Sequence, residues 1–259
     1  MTYLHALTTI FVLHFRGNAN LWIVFGVSLS IVPLIAVITW ITTQSPDSQP
    51  IAYISVGVIL MAMWQTCVFF SGRSLASEFY EGTVDYTMVS RIPLRVVMLV
   101  KSVATLAIAI PSSLIAFATV QIVSRELIDV ERPLFLLVSM LVAAWSITVV
   151  GYLFAPLFVL VQGRGGFFNA FQPLGIVLSG FLYPISQLSD EVQIVARLLP
   201  TSWAMDSVTR SIEPGESLVR IYADWGAALG VSVVMLAATL FMFSKVENTL
   251  RRNGNVGRF

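Results

Sequence analysis

Six stretches of this chain contain no Asp, Glu, Lys or Arg: Leu21 to Ile41, Ile51 to Phe70, Ser102 to Ser124, Pro133 to Gly163, Gly165 to Ser189 and Trp225 to Ser244. Each is long enough for the hydrocarbon layer of a bilayer, roughly 30 Å thick, which takes about 20 helical residues to cross. The runs are continuously apolar rather than alternating, so they read as helices, which satisfy their own backbone polar groups in lipid, and not as barrel strands. Only 11% of the residues are charged and 57% are apolar, whereas an ordinary soluble domain is about 25% charged. The expected fold is therefore an all-α membrane protein, one transmembrane domain over residues 1–259, with spans near 21–41, 51–70, 102–124, 133–163, 165–186 and 225–244.

A net charge of +1 conceals an asymmetry between the two sides of such a bundle. With an even number of crossings both termini share a side. That side holds ten basic residues (Arg16, Arg73, Arg91, Arg95, Lys101, Arg164, Lys245, Arg251, Arg252 and Arg258) against Glu78, Glu81, Asp85 and Glu247. The other side holds Arg125, Arg132, Arg197, Arg210 and Arg220 against the remaining ten acidic residues. Basic residues flanking spans stay in the cytoplasm, which predicts that both termini are cytoplasmic. The balance gives no case for nucleic acid, and the single cysteine, Cys67, has no partner for an intrachain disulfide.

The first twenty residues lack the early basic region and small-residue cleavage site of a secretory signal. Leu4, Leu7, Phe11 and Phe15 recur at helical spacing beside polar His5, Thr8, His14 and Arg16, the pattern of a helix lying along the inner leaflet. His5 and His14 read as solvated interfacial residues, since no Cys or carboxylate accompanies them to make a metal site. Pro33, Pro111 and Pro156 fall inside spans one, three and four, where a missing backbone donor predicts bends.

Between spans two and three, Ser71 to Lys101 is polar and charged. Placed on a helix, Leu75, Phe79, Gly82 and Tyr86 share one face and Glu78, Glu81 and Asp85 an adjacent one, with Gly82 interrupting the helix. An acidic stripe of that kind suits a basic groove on a partner, and equally suits a solvated face. Charges in the loop before Pro133 (Arg125, Glu126, Asp129, Glu131, Arg132) read as solvated.

Amides within apolar runs want hydrogen-bond partners, which turns them toward other helices or a wet path rather than lipid. Gln65 in span two and Asn169, Phe171 and Gln172 in span five are thus the candidates for a translocation path, with helix packing as the alternative at each position. Pro184 is expected to stop the fifth helix. Val192, Val195, Ala196 and Leu199 then form a short amphipathic helix ending before Pro200, too short and too charged to span, lying outside the membrane or re-entrant.

No Walker A motif, HExxH, GxSxG or paired-cysteine motif occurs, and no carboxylate falls inside a predicted span. Proton-coupled carriers place ionisable groups in their helices, so energy is expected to arrive from another chain. Six spans, the inner segment SEFYEGTVDYTMVSRIPLRVVMLVKS and the late block SGFLYPISQLSDEVQIVARLLPTSWAMDSVTR together resemble the membrane subunit of ABC-2 type exporters over nearly the whole chain. Glu81, Gly82 and Thr83 stand where that family has an acidic residue followed by Gly-Thr in its cytoplasmic coupling region. Gly180, Pro184 and Ile185 match its Gly-x-x-x-Pro-Ile element, and Leu199, Pro200, Thr201 and Ser202 its Pro-Thr turn. Val84, Asp85 and Tyr86 depart from the family, where a Leu-Glu or Met-Glu pair is commoner.

The resemblance implies a non-catalytic permease of the bacterial plasma membrane, paired with a second six-span permease, identical or related, and with two cytoplasmic ATPase subunits that bind the ATP and Mg. No cofactor is expected in this chain. Glu78, Phe79, Glu81, Gly82, Thr83 and Asp85 would couple to the ATPase, in a cytoplasmic coupling helix, while Gly180, Pro184 and Pro200 would form an extracellular gate. A drug, an antibiotic or another amphiphile is the implied cargo. Lipid or polysaccharide export, or a non-transporting scaffold or immunity role, are the alternatives.

Overall fold

The computed structural model describes residues 3–18, 21–44, 50–80, 82, 92–125, 130–160 and 165–253. Among them the regular structure is helical throughout: α1 (Tyr3–Asn18), α2 (Leu21–Gln44), α3 (Ile51–Tyr80), α4 (Leu94–Ser124), α5 (Pro133–Leu160), α6 (Gly165–Leu178), a 3-10 turn (Ile185–Gln187), α7 (Asp190–Ala196), α8 (Pro200–Ile212) and α9 (Leu218–Asn253). Among the described residues four stretches are long and apolar enough to cross a membrane, namely Ile51–Ser71, Leu94–Ser124, Pro133–Leu157 and Leu218–Asn248. In α2 a shorter apolar stretch, Val32–Ile41, meets the same composition.

Helix α3 is the central post. Its apolar window is 78% buried, against 22% for that of α9, so α3 is enclosed by protein while α9 leaves an apolar flank for lipid. Helices α4 and α5 pack along α3, α2 packs on α4, and α8 is wedged between α5 and α9. Trp64, Leu60, Met61 and Cys67 of α3 meet Ala143, Ile147, Val150 and Phe154 of α5 in the main apolar cluster. Proline sets several boundaries, because its fixed φ suits a first turn whose N–H groups have no helical partner. Pro93 caps α4, α5 begins at Pro133 and α8 at Pro200.

Several boundaries differ from those expected. Helix α4 starts at Leu94, so Lys101, which bounded the third run in sequence, lies inside it. Helix α9 starts at Leu218 and carries Arg220 and Asp224, so an acidic residue does sit in a long apolar helix. A charge does not end a helix when a partner across the bundle compensates it, and Arg210 does so for Asp224. The third difference is α6, which stops at Leu178 after 14 residues, about 21 Å at 1.5 Å per residue and short of a full crossing by itself. Pro184 is not what stops it. Gly180 adopts φ +76, and its N–H bonds the Val177 carbonyl while the Phe181 N–H bonds that of Ile176. This pair of bonds closes the last turn of a helix around a left-handed glycine.

Candidate functional site

The break after α6 is seated on α3. Tyr53 donates its hydroxyl hydrogen bond to the Gly180 carbonyl. A Cβ on Gly57 would overlap the Phe181 carbonyl, so only glycine lets the turn approach α3 this closely. One stretch further along, Gly175 lies flat against the Trp64 ring, where a Cβ would again collide. The Trp64 indole N–H donates to the Gln172 carbonyl at 3.2 Å, and the Gln172 side-chain amide donates to the Gln65 carbonyl at 3.1 Å. Of the expected path residues the structure therefore brings Gln65 and Gln172 together, with the Gln172 amide bonded to backbone. Phe171 is 39% exposed and meets Phe154 edge to face. The Asn169 side chain lies outside the described residues.

Helix α8, unforeseen in the sequence reading, is buried through Thr201, Ser202, Ala204, Ser207, Val208 and Ser211. Ser139 of α5 joins it by hydroxyl contact to Ser211 at 3.0 Å and accepts the Trp225 indole N–H of α9 at 2.8 Å. Small and hydroxylated residues at helical spacing are the signal that was available, since they let helices approach and bond in lipid. The Ser179 and Thr201 hydroxyls meet at 2.6 Å, which ties α8 to the end of α6. Pro200, expected at a gate, is the buried first residue of α8, while Pro184 precedes the 3-10 turn.

Where α3 begins, a cavity of about 430 Å³ is lined by Pro50 and Tyr53, by the Pro184 to Ser186 turn, and by charged side chains from the end of α7, from α8 and α9 and from the linker between those two. Arg197 pairs with Asp206 and stacks on Trp203, Arg210 Nε lies 2.9 Å from Asp224 Oδ2, and Arg220 lies 3.8 Å from Glu216. Arg132, expected to be solvated, donates to the Glu216 carbonyl at 2.8 Å. Burial, reinforced by Glu216 and opposed by Arg210, pushes the Glu213 carboxyl above its ordinary range. Three arginines (197, 210, 220) and three carboxylates (206, 213, 216) thus face one space, which offers both signs of charge to a polar group.

The opposite end of α3 carries the segment singled out for coupling. Helix α3 runs on to Tyr80, so Glu78 and Phe79 belong to the long helix and not to a separate amphipathic one. Gly82 has φ +68 just beyond that end, so it is a left-handed turn residue where a mid-helix interruption was expected. Glu78 is 7% exposed and its carboxylate pairs with the Lys101 ammonium of α4, where a solvent-facing stripe was expected. Leu75, Leu94, Val97, Met98, Tyr152 and Phe243 form an apolar cluster that Ile10 of α1 joins. Glu81, Thr83 and Asp85, and the Phe79 side chain, lie outside the described residues.

Helix α1 docks on the same end of α4. The Thr105 hydroxyl donates to the Lys101 carbonyl at 2.9 Å, which leaves its oxygen to accept from His14 Nε2 at 3.2 Å. His14 therefore carries its proton on Nε2, and its Nδ1 accepts from the Asn18 amide at 3.4 Å. Burial, with the Lys101 charge adding to it, lowers the His14 pKa to about 4, so the ring is neutral near pH 7. His14 is thus a packed, bonded residue and not the solvated one expected. Exposed Leu4 and Leu13 keep apolar surface on the outer face of α1, as a helix lying at the membrane surface requires.

A family model described as ABC-2 family transporter protein matches residues 25–241. The chain belongs to the ABC-2 transporter family. It is a membrane permease component of an ABC transporter, a role that implies an ABC ATPase partner and is generally non-catalytic. A comparison with curated proteins finds no match to the chain. The matched region runs from α2 to α9 and so includes both ends of α3.

Proposed function

We propose that this ABC-2 permease is the translocation half of an ATP-driven exporter in a bacterial plasma membrane. It pairs with a second permease, of the same or a related chain, and with two cytoplasmic ATPase subunits that supply ATP and Mg. Both termini are cytoplasmic, α2 and the α6-to-turn segment complete six crossings, and the chain forms one transmembrane domain with lipid around it. The coupling contact is the end of α3 and the segment beyond it, from Glu78 to Asp85, which the ATPase pushes as it closes on nucleotide.

The observation that carries this reading is the family match over residues 25–241 on a chain without a Walker A motif. The cargo is an amphiphile such as a drug or antibiotic. The cavity beside α8 supports that choice, because its paired charges suit the polar end of such a molecule while the apolar flanks of the bundle suit its tail. The deciding experiment is purification of the native complex from its membrane. A P-loop ATPase should accompany the permease and drive transport in proteoliposomes, and Glu81→Lys should leave the permease in the membrane but uncouple hydrolysis from transport. A native complex without an ATPase, or undiminished transport by that variant, overturns the assignment.

A further inference from the structure

We propose that Lys101 is a positioning residue for coupling, a latch that fastens the cytoplasmic end of α3 to α4 beside the docked α1 helix. Three helices distant in sequence meet at this one residue. Its ammonium takes the Glu78 carboxylate of α3, and its carbonyl takes the Thr105 hydroxyl that in turn holds His14 of α1. Glu78 lies in the last turn of α3 and opens the segment expected to meet the ATPase. A push on that segment reaches α3 through the helix end that the Lys101–Glu78 pair ties to α4. The Lys101–Glu78 pair is largely enclosed, with side-chain exposures of 18% and 9%, so solvent screens it little. Leu75, one turn before Glu78, joins an apolar cluster with Leu94, Met98 and Phe243, and burial alone, being non-directional, does not fix the rotation of α3 about its axis. A charged hydrogen bond does fix it. With Lys101 in place, α3 and α4 move as one lever, and displacement at Glu78 is carried along α3 toward Tyr53, Gly180 and the charged cavity.

This role rests on the permease reading above, and two measurements keep the two apart. In the first, the full chain with Cys67→Ala, in lipid nanodiscs without any partner, is spin-labelled at Ser77 of α3 and Val103 of α4, both exposed. Lys101→Met and Glu78→Gln should each broaden the distance distribution between the labels, and the exchange Lys101→Glu with Glu78→Lys should narrow it again. Distributions as narrow as the parent's in both single variants overturn the latch. In the second, transport per ATP hydrolysed is read in the native complex. Lys101→Met should lower this ratio roughly tenfold, within the range of site-to-site coupling energies, and the exchange should restore most of it. An unchanged ratio in a variant whose label distances have broadened reduces the pair to packing and overturns its role in coupling. A parent complex that couples no ATP to transport removes the permease reading and the coupling role with it, while the spin-label distances still decide whether the latch exists.

Discussion

The Tyr53 hydroxyl donates to the Gly180 carbonyl, so the first turn of the most buried helix holds the turn where the fifth apolar run breaks, 127 residues away. The break is thereby a fixed feature of the bundle. Two substitutions in α3 test this. Tyr53→Phe removes the donor and leaves a buried carbonyl short of a partner, at a cost of about 1–3 kcal/mol. Gly57→Ala forces backbone apart at the Phe181 carbonyl, and overpacking of this kind costs about 1–3 kcal/mol or more. Thermal unfolding in detergent should rank Gly57→Ala as the less stable of the two, because a backbone carbonyl cannot swing aside as a side chain can. Equal stability of Gly57→Ala and the parent would show that the turn is not seated on α3.

Gly175 and Trp64 are complementary in shape, one missing the atoms that the other supplies. Gly175→Ala alone should destabilise by about 1–3 kcal/mol through collision with the indole ring, and Trp64→Leu alone by about 3 kcal/mol through the space it leaves. Combined, the added methyl enters the vacated space, so the double variant should cost less than the sum by at least about 0.5 kcal/mol. A double-mutant cycle on thermal or denaturant unfolding measures this, and strict additivity would remove the contact.

How much of this architecture was legible follows from what each interaction needs. Continuous apolar runs are a local property, and they placed the long helices α3, α4, α5 and α9 to within a few turns. The ends were less legible, since Lys101 and Asp224 read as boundaries only until their partners Glu78 and Arg210 are known, and those partners come from other helices. The end of α6 turns on Gly180 adopting a positive φ, whereas proline, the louder signal, stands four residues later at Pro184. Helix α8 escaped because its apolarity is modest and its Ser and Thr residues look like a loop until α5 and α9 supply hydroxyl and indole partners. Of the site residues, Gln65 and Gln172 were chosen for needing partners, and the structure shows the Gln172 amide bonded to the Gln65 carbonyl.

Arg210 and Asp224 form a pair at the cavity rim with the carboxylate side chain only 8% exposed. Removing one partner of such a pair strands a buried charge and costs about 3–5 kcal/mol, whereas replacing both with apolar residues of similar volume is close to neutral. Arg210→Met and Asp224→Leu should therefore each lower stability markedly, and the double variant should recover most of the loss. If both single variants unfold with the parent, the pair is exposed in the membrane-embedded protein and not part of its core.

His14 provides the pH test. Its ring donates from Nε2 to Thr105 and accepts from Asn18 at Nδ1, an arrangement available only to the neutral tautomer. Docked, the ring titrates at about 4 because burial and Lys101 disfavour the imidazolium. Released into water it titrates near 6.5. Above pH 6.5 neither state binds the proton, and docking is at full strength. As pH falls from about 6.5 towards about 4 the released helix gains a proton that the docked one refuses, so α1 docking weakens through that window and levels off below it. Lys101 faces the ring from α4 with Glu78 of α3 paired to it, and Arg16 shares α1. Nitrogen NMR of labelled His14 in nanodiscs should show a protonated Nε2 and an unprotonated Nδ1 at pH 7, with a midpoint near 4. Proteolysis between α1 and α2 should accelerate across the same window, and His14→Gln should flatten that dependence. A His14 midpoint near 6.5 would mean that α1 does not rest on Thr105.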